Sequence, residues 1–152
     1  GQPAVVIATP PHVDQIREQL RARGLSSEQL ARDDRLVLLD AEETLAQLLL
    51  GMMPDPIQFR RTIVPVIEGA SAANDGARVR AYGEMVDVLW KADRTRAASQ
   101  LERLWNSLAH THTFSLLCGY ATDTSYKLAA VDEICSHHSH VVTDDADAAT
   151  IA

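Results

Sequence analysis

Residues 79 to 90 restrict the possible folds more than any other stretch, because they read as a strand running straight into a helix. Val79, Ala81 and Gly83 alternate with Arg80, Tyr82 and Glu84, the two-residue period of a strand. From Met85 the spacing becomes helical, with Met85, Val88 and Leu89 on one face and Val86 and Trp90 beside them. Gly83 stands at the switch, where a backbone conformation unfavourable to other residues is expected. In α/β proteins ligands lie where carboxyl ends of strands and amino ends of helices open onto one crevice. Arg80, Tyr82 and Glu84 are therefore read as the polar lining of a site.

The rest of the chain alternates in the same way. Ala4 to Ala8 is a short apolar run of the buried parallel-strand type. Thr9 is placed to cap the next helix, with Pro10 and Pro11 in its first turn, Val13, Ile16 and Leu20 on one face, and Gly24 as its stop. Ser26 and Gln29 have capping-box spacing, and Arg35 to Asp40 reads as a second buried strand. Asp40 has two readings, a helix cap shared with Glu43 or a carboxylate facing the crevice. Asp55 and Pro56 start a helix carrying Phe59, Ile63, Val66 and Ile67, which Pro65 is expected to kink or split. A polar turn at Ala72 to Gly76 leads into the strand–helix junction.

After Trp90, residues Ala97, Leu101, Leu104, Trp105 and Leu108 mark an amphipathic helix. Trp90 and Trp105 read as packing aromatics or as a ligand wall, and His110 and His112 as solvated loop histidines. Phe114 to Tyr120 is the last clear strand, ending in Cys118, Gly119 and Tyr120. Thr122 or Asp123 then caps a helix with Tyr126, Leu128, Ala129 and Ile134, followed by Cys135, His137, His138, His140 and a short Val141–Val142 strand. Residues 143–152 read as an acidic tail or linker, and residues 1–142 as one domain. The expectation is α/β, a mainly parallel sheet with helices on both faces.

Charge and composition exclude several functions. Fourteen basic against 21 acidic residues give a net charge of −7, which argues against direct binding to nucleic-acid phosphates. No apolar run is long enough to span a bilayer, and two cysteines in an α/β chain fit a reducing cytoplasm. The sequence holds no glycine-rich phosphate loop, no Gly-x-Ser-x-Gly elbow, no His-Glu-x-x-His and no Cys-x-x-Cys, so no enzyme and no cofactor is expected. Cys135 with His137, His138 and His140, joined by Cys118 in its widest form, is the candidate metal set, set against histidines that cap a helix end or lie in solvent. A Cys118–histidine nucleophile pair is conceivable, but Cys118 also reads as a small apolar residue at a strand end.

Two stretches together resemble a known family. Arg80 to Trp90 with Leu101 to Asn106, and Leu116 to Tyr120 with Ile134 to Val141, are similar to the signature of the MEDS sensory domains, seen in regulators of methanogens and methylotrophs and fused to histidine kinases or sigma-factor regulators. The resemblance runs from Val5 through Val142. It implies a RecA-like three-layer sandwich related to the KaiC ATPases without their phosphate loop. Family members usually begin with a further strand and helix before the segment equivalent to Ala4–Ala8, and that opening unit is absent here. The resemblance carries over Tyr82, Glu84, Cys118 and Tyr120, with His12 and His140, as ligand-binding residues.

The leading expectation is a non-catalytic cytoplasmic module of a bacterial signalling or transcription-regulatory protein, sensing a small molecule such as a hydrocarbon derivative. It passes the signal to an attached or associated histidine kinase or regulator domain, with homodimerisation possible. The alternative is a protein-interaction or dimerisation module whose ancestral nucleotide pocket is closed. A residual nucleotide-hydrolysing activity stands third.

Overall fold

Buried apolar strands with no polar face need cover on both sides, and the chain supplies it with helices. The computed structural model describes residues 1–120, 136 and 138–140, and separates into two units, Gly1–Tyr120 and Ala121–Ala152. The first unit holds β1 (Ala4–Ala8), α1 (Pro10–Ala22), α2 (Ser27–Arg32), β2 (Leu36–Asp40), α3 (Ala41–Leu48), β3 (Leu49–Leu50), β4 (Met53–Pro54), α4 (Pro56–Ala72), β5 (Val79–Gly83), α5 (Met85–Lys91), α6 (Thr95–Ala109) and β6 (Phe114–Cys118). The expected helix after Tyr120, Cys135, His137, Val141–Val142 and the acidic tail lie outside the described residues.

A parallel sheet in the order β2-β1-β5-β6 organises the unit. The α/β expectation holds: the sheet is flanked by helices on both faces. Strand periodicity divides the cores. Val5, Ile7, Val79, Ala81 and Phe114 point to one face, packing with residues of α3 to α6 such as Leu45, Phe59, Leu89 and Leu101. Trp105 lies in this core, edge-on to Phe59 at 5.2 Å and tilted against Phe114 at 6.0 Å, so its reading as packing holds. Val6, Ala8 and Tyr82 point to the opposite face, where α1 brings Val13, Ile16 and Leu20.

The junctions explain why the elements start where they do. Asp40 Oδ1 accepts from the amides of Glu42 and Glu43, and Asp55 Oδ1 from those of Ile57 and Gln58, so both act as helix caps. Ser26 Oγ accepts from Gln29 N, half of the expected capping box. The Gln29 side chain turns to Asp33 instead of returning to the cap.

Several expectations are corrected. The strand expected to be buried, β2, has only Leu36 fully covered, because it lies at the sheet edge among the described residues. Pro65 does not split α4, which runs unbroken over 17 residues. Gly83 needs no special backbone: it has no positive φ, and a Cβ there would meet nothing nearer than Leu116 Cδ1 at 4.0 Å. His112 is not solvated. Its side chain is 15% exposed and meets Glu68 at 3.3 Å. A short antiparallel hairpin of β3 and β4, not foreseen, follows α3 directly.

Candidate functional site

The junction of β5 and α5 brings Glu84 to the carboxyl ends of β1 and β5. Its backbone amide donates to Ile7 O at 2.9 Å, which extends the β1–β5 ladder by one bond and fixes the residue's position. Glu84 caps α5 in position only, since its side chain makes no capping bond. The carboxyl turns toward β1 and α1 instead and is 3% exposed. Oε2 accepts from Thr9 N at 2.8 Å and from Thr9 Oγ1 at 2.9 Å. Oε1 accepts from Tyr82 Oη at 2.7 Å and meets His12 Nδ1 at 2.6 Å. Thr9 is thus corrected as well: it holds the cap position of α1, but its hydroxyl serves Glu84 and not the helix.

Electrostatics follow from these contacts. Burial alone would raise the Glu84 pKa, but the Thr9 amide, the Tyr82 phenol, His12 and the Thr9 hydroxyl all favour the anion and hold it below the usual glutamate range. Burial, and then the bond to the Glu84 carboxylate, push the Tyr82 phenol well above its ordinary value, so it stays a hydroxyl. Because the carboxylate can only accept, the hydrogen shared with His12 lies on Nδ1. This network forms one wall of a cleft of about 540 Å³ lined also by Gln15, Ile16, Gln19, Leu20 and Arg23 of α1 and its end. A smaller depression of about 220 Å³ touches Asp40, whose carboxylate is engaged at the α3 cap.

The other expected site residues separate from this network. Gly83 pairs with Cys118 and Tyr82 with Leu117, so neighbouring side chains alternate across the sheet. Cys118 therefore faces α6, where its thiol bonds the carboxyl of the buried Glu102. The Tyr120 hydroxyl donates to Glu102 Oε1 as well. Burial first, then the Glu102 charge, raise the pKa of both Cys118 and Tyr120 above their usual values. Cys118 is half-buried and polar-bonded, not a purely apolar strand end. The two strand ends share a rim, but their side chains serve opposite faces.

Arg80, expected as lining, is corrected: it bonds Gln2 Oε1 at 2.6 Å and Ser115 Oγ at 3.4 Å, away from Glu84. His140 lies in the second unit, exposed, with Nδ1 3.1 Å from Ser139 Oγ. His138 is also in that unit, whereas Cys135 and His137 lie outside the described residues. Two contributors were missed at the sequence level, Thr9 and Glu102. Thr9 carried an ambiguous signal, since cap residues are also hydrogen-bond donors; Glu102 carried one only as a charge on the apolar face of α6.

One further contact holds the network. Gly119 N donates to Gly83 O at 2.9 Å, placing its Cα against the Tyr82 ring. A Cβ at that position would lie 2.2 Å from Tyr82 Oη and 2.8 Å from Cζ, so only glycine leaves room for the phenol.

The family model MEDS, described as MEthanogen/methylotroph, DcmR Sensory domain, covers residues 1–139. The chain belongs to the MEDS family. By that description it is a sensory domain. No curated protein matches it. In this MEDS chain the Glu84 network and the cleft along α1 stand side by side at the carboxyl end of β5. Among the described residues no helix is long and apolar enough to cross a membrane.

Proposed function

We propose that this MEDS domain is a non-catalytic small-molecule sensor of a cytoplasmic bacterial signalling or transcription-regulatory protein, with its ligand in the cleft between α1 and the end of β5. A hydrocarbon derivative suits the apolar part of that cleft, where Ile16, Leu20 and the Tyr82 ring stand. One observation carries the reading. A buried carboxylate with four donors fixes His12 and Tyr82 on the wall of a 540 Å³ cleft, within the usual size of ligand pockets. An attached histidine kinase or regulator domain is the output, read through a change in the arrangement of strand ends around Glu84. The relation to RecA- and KaiC-like domains is part of the same proposal, supported by the parallel, helix-flanked sheet.

A thermal-shift screen tests it. Compounds that raise the melting temperature of the wild type are expected to lose that effect in Ile16→Trp, which fills the cleft. Equal stabilisation of both proteins would put the site elsewhere.

A second reading, an interaction or dimerisation module, has its own support. The β3–β4 hairpin and the start of α4 expose Leu50 (70%), Met52 (67%), Met53 (41%) and Ile57 (61%), an apolar patch of the kind that marks protein contacts. Light scattering separates the readings: self-association abolished by Leu50→Ser with Met52→Ser, without any compound stabilising the domain, favours this one.

A further inference from the structure

Glu84 is the charge a ligand would be expected to meet, yet its oxygens are already occupied. A carboxylate offers about four acceptor sites. Here the four donors are Thr9 N, Thr9 Oγ1, Tyr82 Oη and His12 Nδ1. Contact with a ligand therefore passes to the groups that Glu84 orients. His12 is the more open of these, with its side chain 45% exposed where it lines the cleft. When the ring is neutral, its hydrogen stays on Nδ1, facing Glu84, and Nε2 carries an unshared pair. Tyr82 gives its one hydroxyl hydrogen to Glu84, so its oxygen too can only accept. The inner wall thus presents acceptors beside the apolar surfaces of Ile16 and Leu20, while the amides of Gln15 and Gln19 and the Arg23 guanidinium stand at the exposed rim.

We propose that the cleft selects small neutral molecules combining an apolar body with a hydrogen-bond donor, such as a hydroxyl, which is given to His12 Nε2. This rests on the cleft being the sensing site. Acceptor-only ligands gain no bond on the inner wall, and carboxylates are in addition repelled by Glu84 behind it. Glu84 itself is a positioning residue that sets the tautomer of His12, as second-shell carboxylates do for histidine elsewhere.

Three probes of similar body test the rule on the full chain by NMR: benzyl alcohol, benzyl methyl ether and benzoate. Benzyl alcohol is expected to shift the amides of Gln15, Ile16 and Gln19 and the Nε2 resonance of His12, and to bind roughly tenfold more tightly than the other two. Glu84→Gln gives a sharper prediction. The Thr9 amide can only donate, so the new side-chain oxygen stays there and the new NH2 faces His12 Nδ1. The ring hydrogen then moves to Nε2, which becomes a donor. The advantage of the alcohol over the ether is expected to vanish and benzoate to gain. Should that variant fail to fold, His12→Phe on the half-exposed face of α1 is expected to level the three probes. Ether or benzoate binding as tightly as the alcohol while moving the same wild-type amides would overturn the donor rule and leave the cleft standing. Persistence of the alcohol preference in either variant would overturn it too. Cleft amides unmoved by all three probes would remove the cleft reading and this proposal with it.

Discussion

Replacing Glu84 by alanine should cost more than any surface carboxylate in the chain, and the structure supplies the magnitude. Hydrogen bonds to a charged group contribute about 1.5–3 kcal/mol each, so four would sum to about 6–12 kcal/mol. Burying the carboxylate takes back several of those. Removing it leaves the Thr9 amide and the Tyr82 hydroxyl without their acceptor, and the expected loss is about 3 kcal/mol, the lower end for breaking a buried charge network because half-exposed His12 lets water in. For a chain of this size that lowers the melting temperature by about 6–12 °C. Glu84→Gln keeps the Thr9 pair and should lose about 1–2 kcal/mol. The pH dependence has a fixed sign. The folded pKa of Glu84 lies below its ordinary 4.5, so its contribution is complete above that value and is lost as pH falls through the folded pKa. The advantage of the wild type over Glu84→Gln must therefore shrink on acidification below 4.5. Urea unfolding followed by tryptophan fluorescence, with Trp105 buried in the core as reporter, measures both effects. A cost for the alanine variant below about 1 kcal/mol, the scale of an exposed pair, or an advantage that grows in acid, would refute the reasoning.

Gly119→Ala forces a methyl to 2.2 Å from the Tyr82 hydroxyl and should destabilise by about 1–3 kcal/mol, as overpacking does. Tyr82→Phe in the same chain removes the closest atom and should recover part of that loss, a coupling visible in a double-mutant cycle of urea unfolding. Cys118 should resist alkylation by iodoacetamide near neutral pH far longer than a free cysteine, because burial and Glu102 hold its thiol protonated; peptide mapping by mass spectrometry reads this site apart from Cys135. Asp40→Ala removes the acceptor for the Glu42 and Glu43 amides and should cost about 1 kcal/mol in melting experiments, leaving probe binding in the cleft unchanged.

Much of the fold was written in local patterns. The run from Val5 to Ala8, the alternation at Val79 to Gly83 and the stripe Ala97, Leu101, Leu108 each had one reading, since hydrophobic period and burial demand the same answer. The cap at Asp55 was equally plain, because the chemistry of a cap is complete within four residues, whereas Asp40 carried two readings and the structure gives it the cap. Pro65 misled for the opposite reason. A proline removes one local hydrogen bond, but burial of Ile63, Ile67 and Ala70 along the same helix holds α4 together across it.

The candidate site was legible only in part. Tyr82, Glu84 and His12 were named from the sequence, and the fold joins them across 72 residues of chain. Cys118 and Tyr120 were named with them, but which face each side chain takes depends on the register of β6 against β5, and no local pattern states that register. The sequence by itself determined the four strands of the parallel sheet, the helices between them, the caps at Ser26 and Asp55 and the presence of a glutamate at a strand–helix junction. Tertiary structure alone decided that this glutamate would meet Thr9, His12 and Tyr82, that Gly119 would make room for the phenol, and that Cys118 would turn away to Glu102. The physical reason is range: periodicity and capping act over a few residues, whereas the partners of a buried charge are chosen when distant strands are packed side by side.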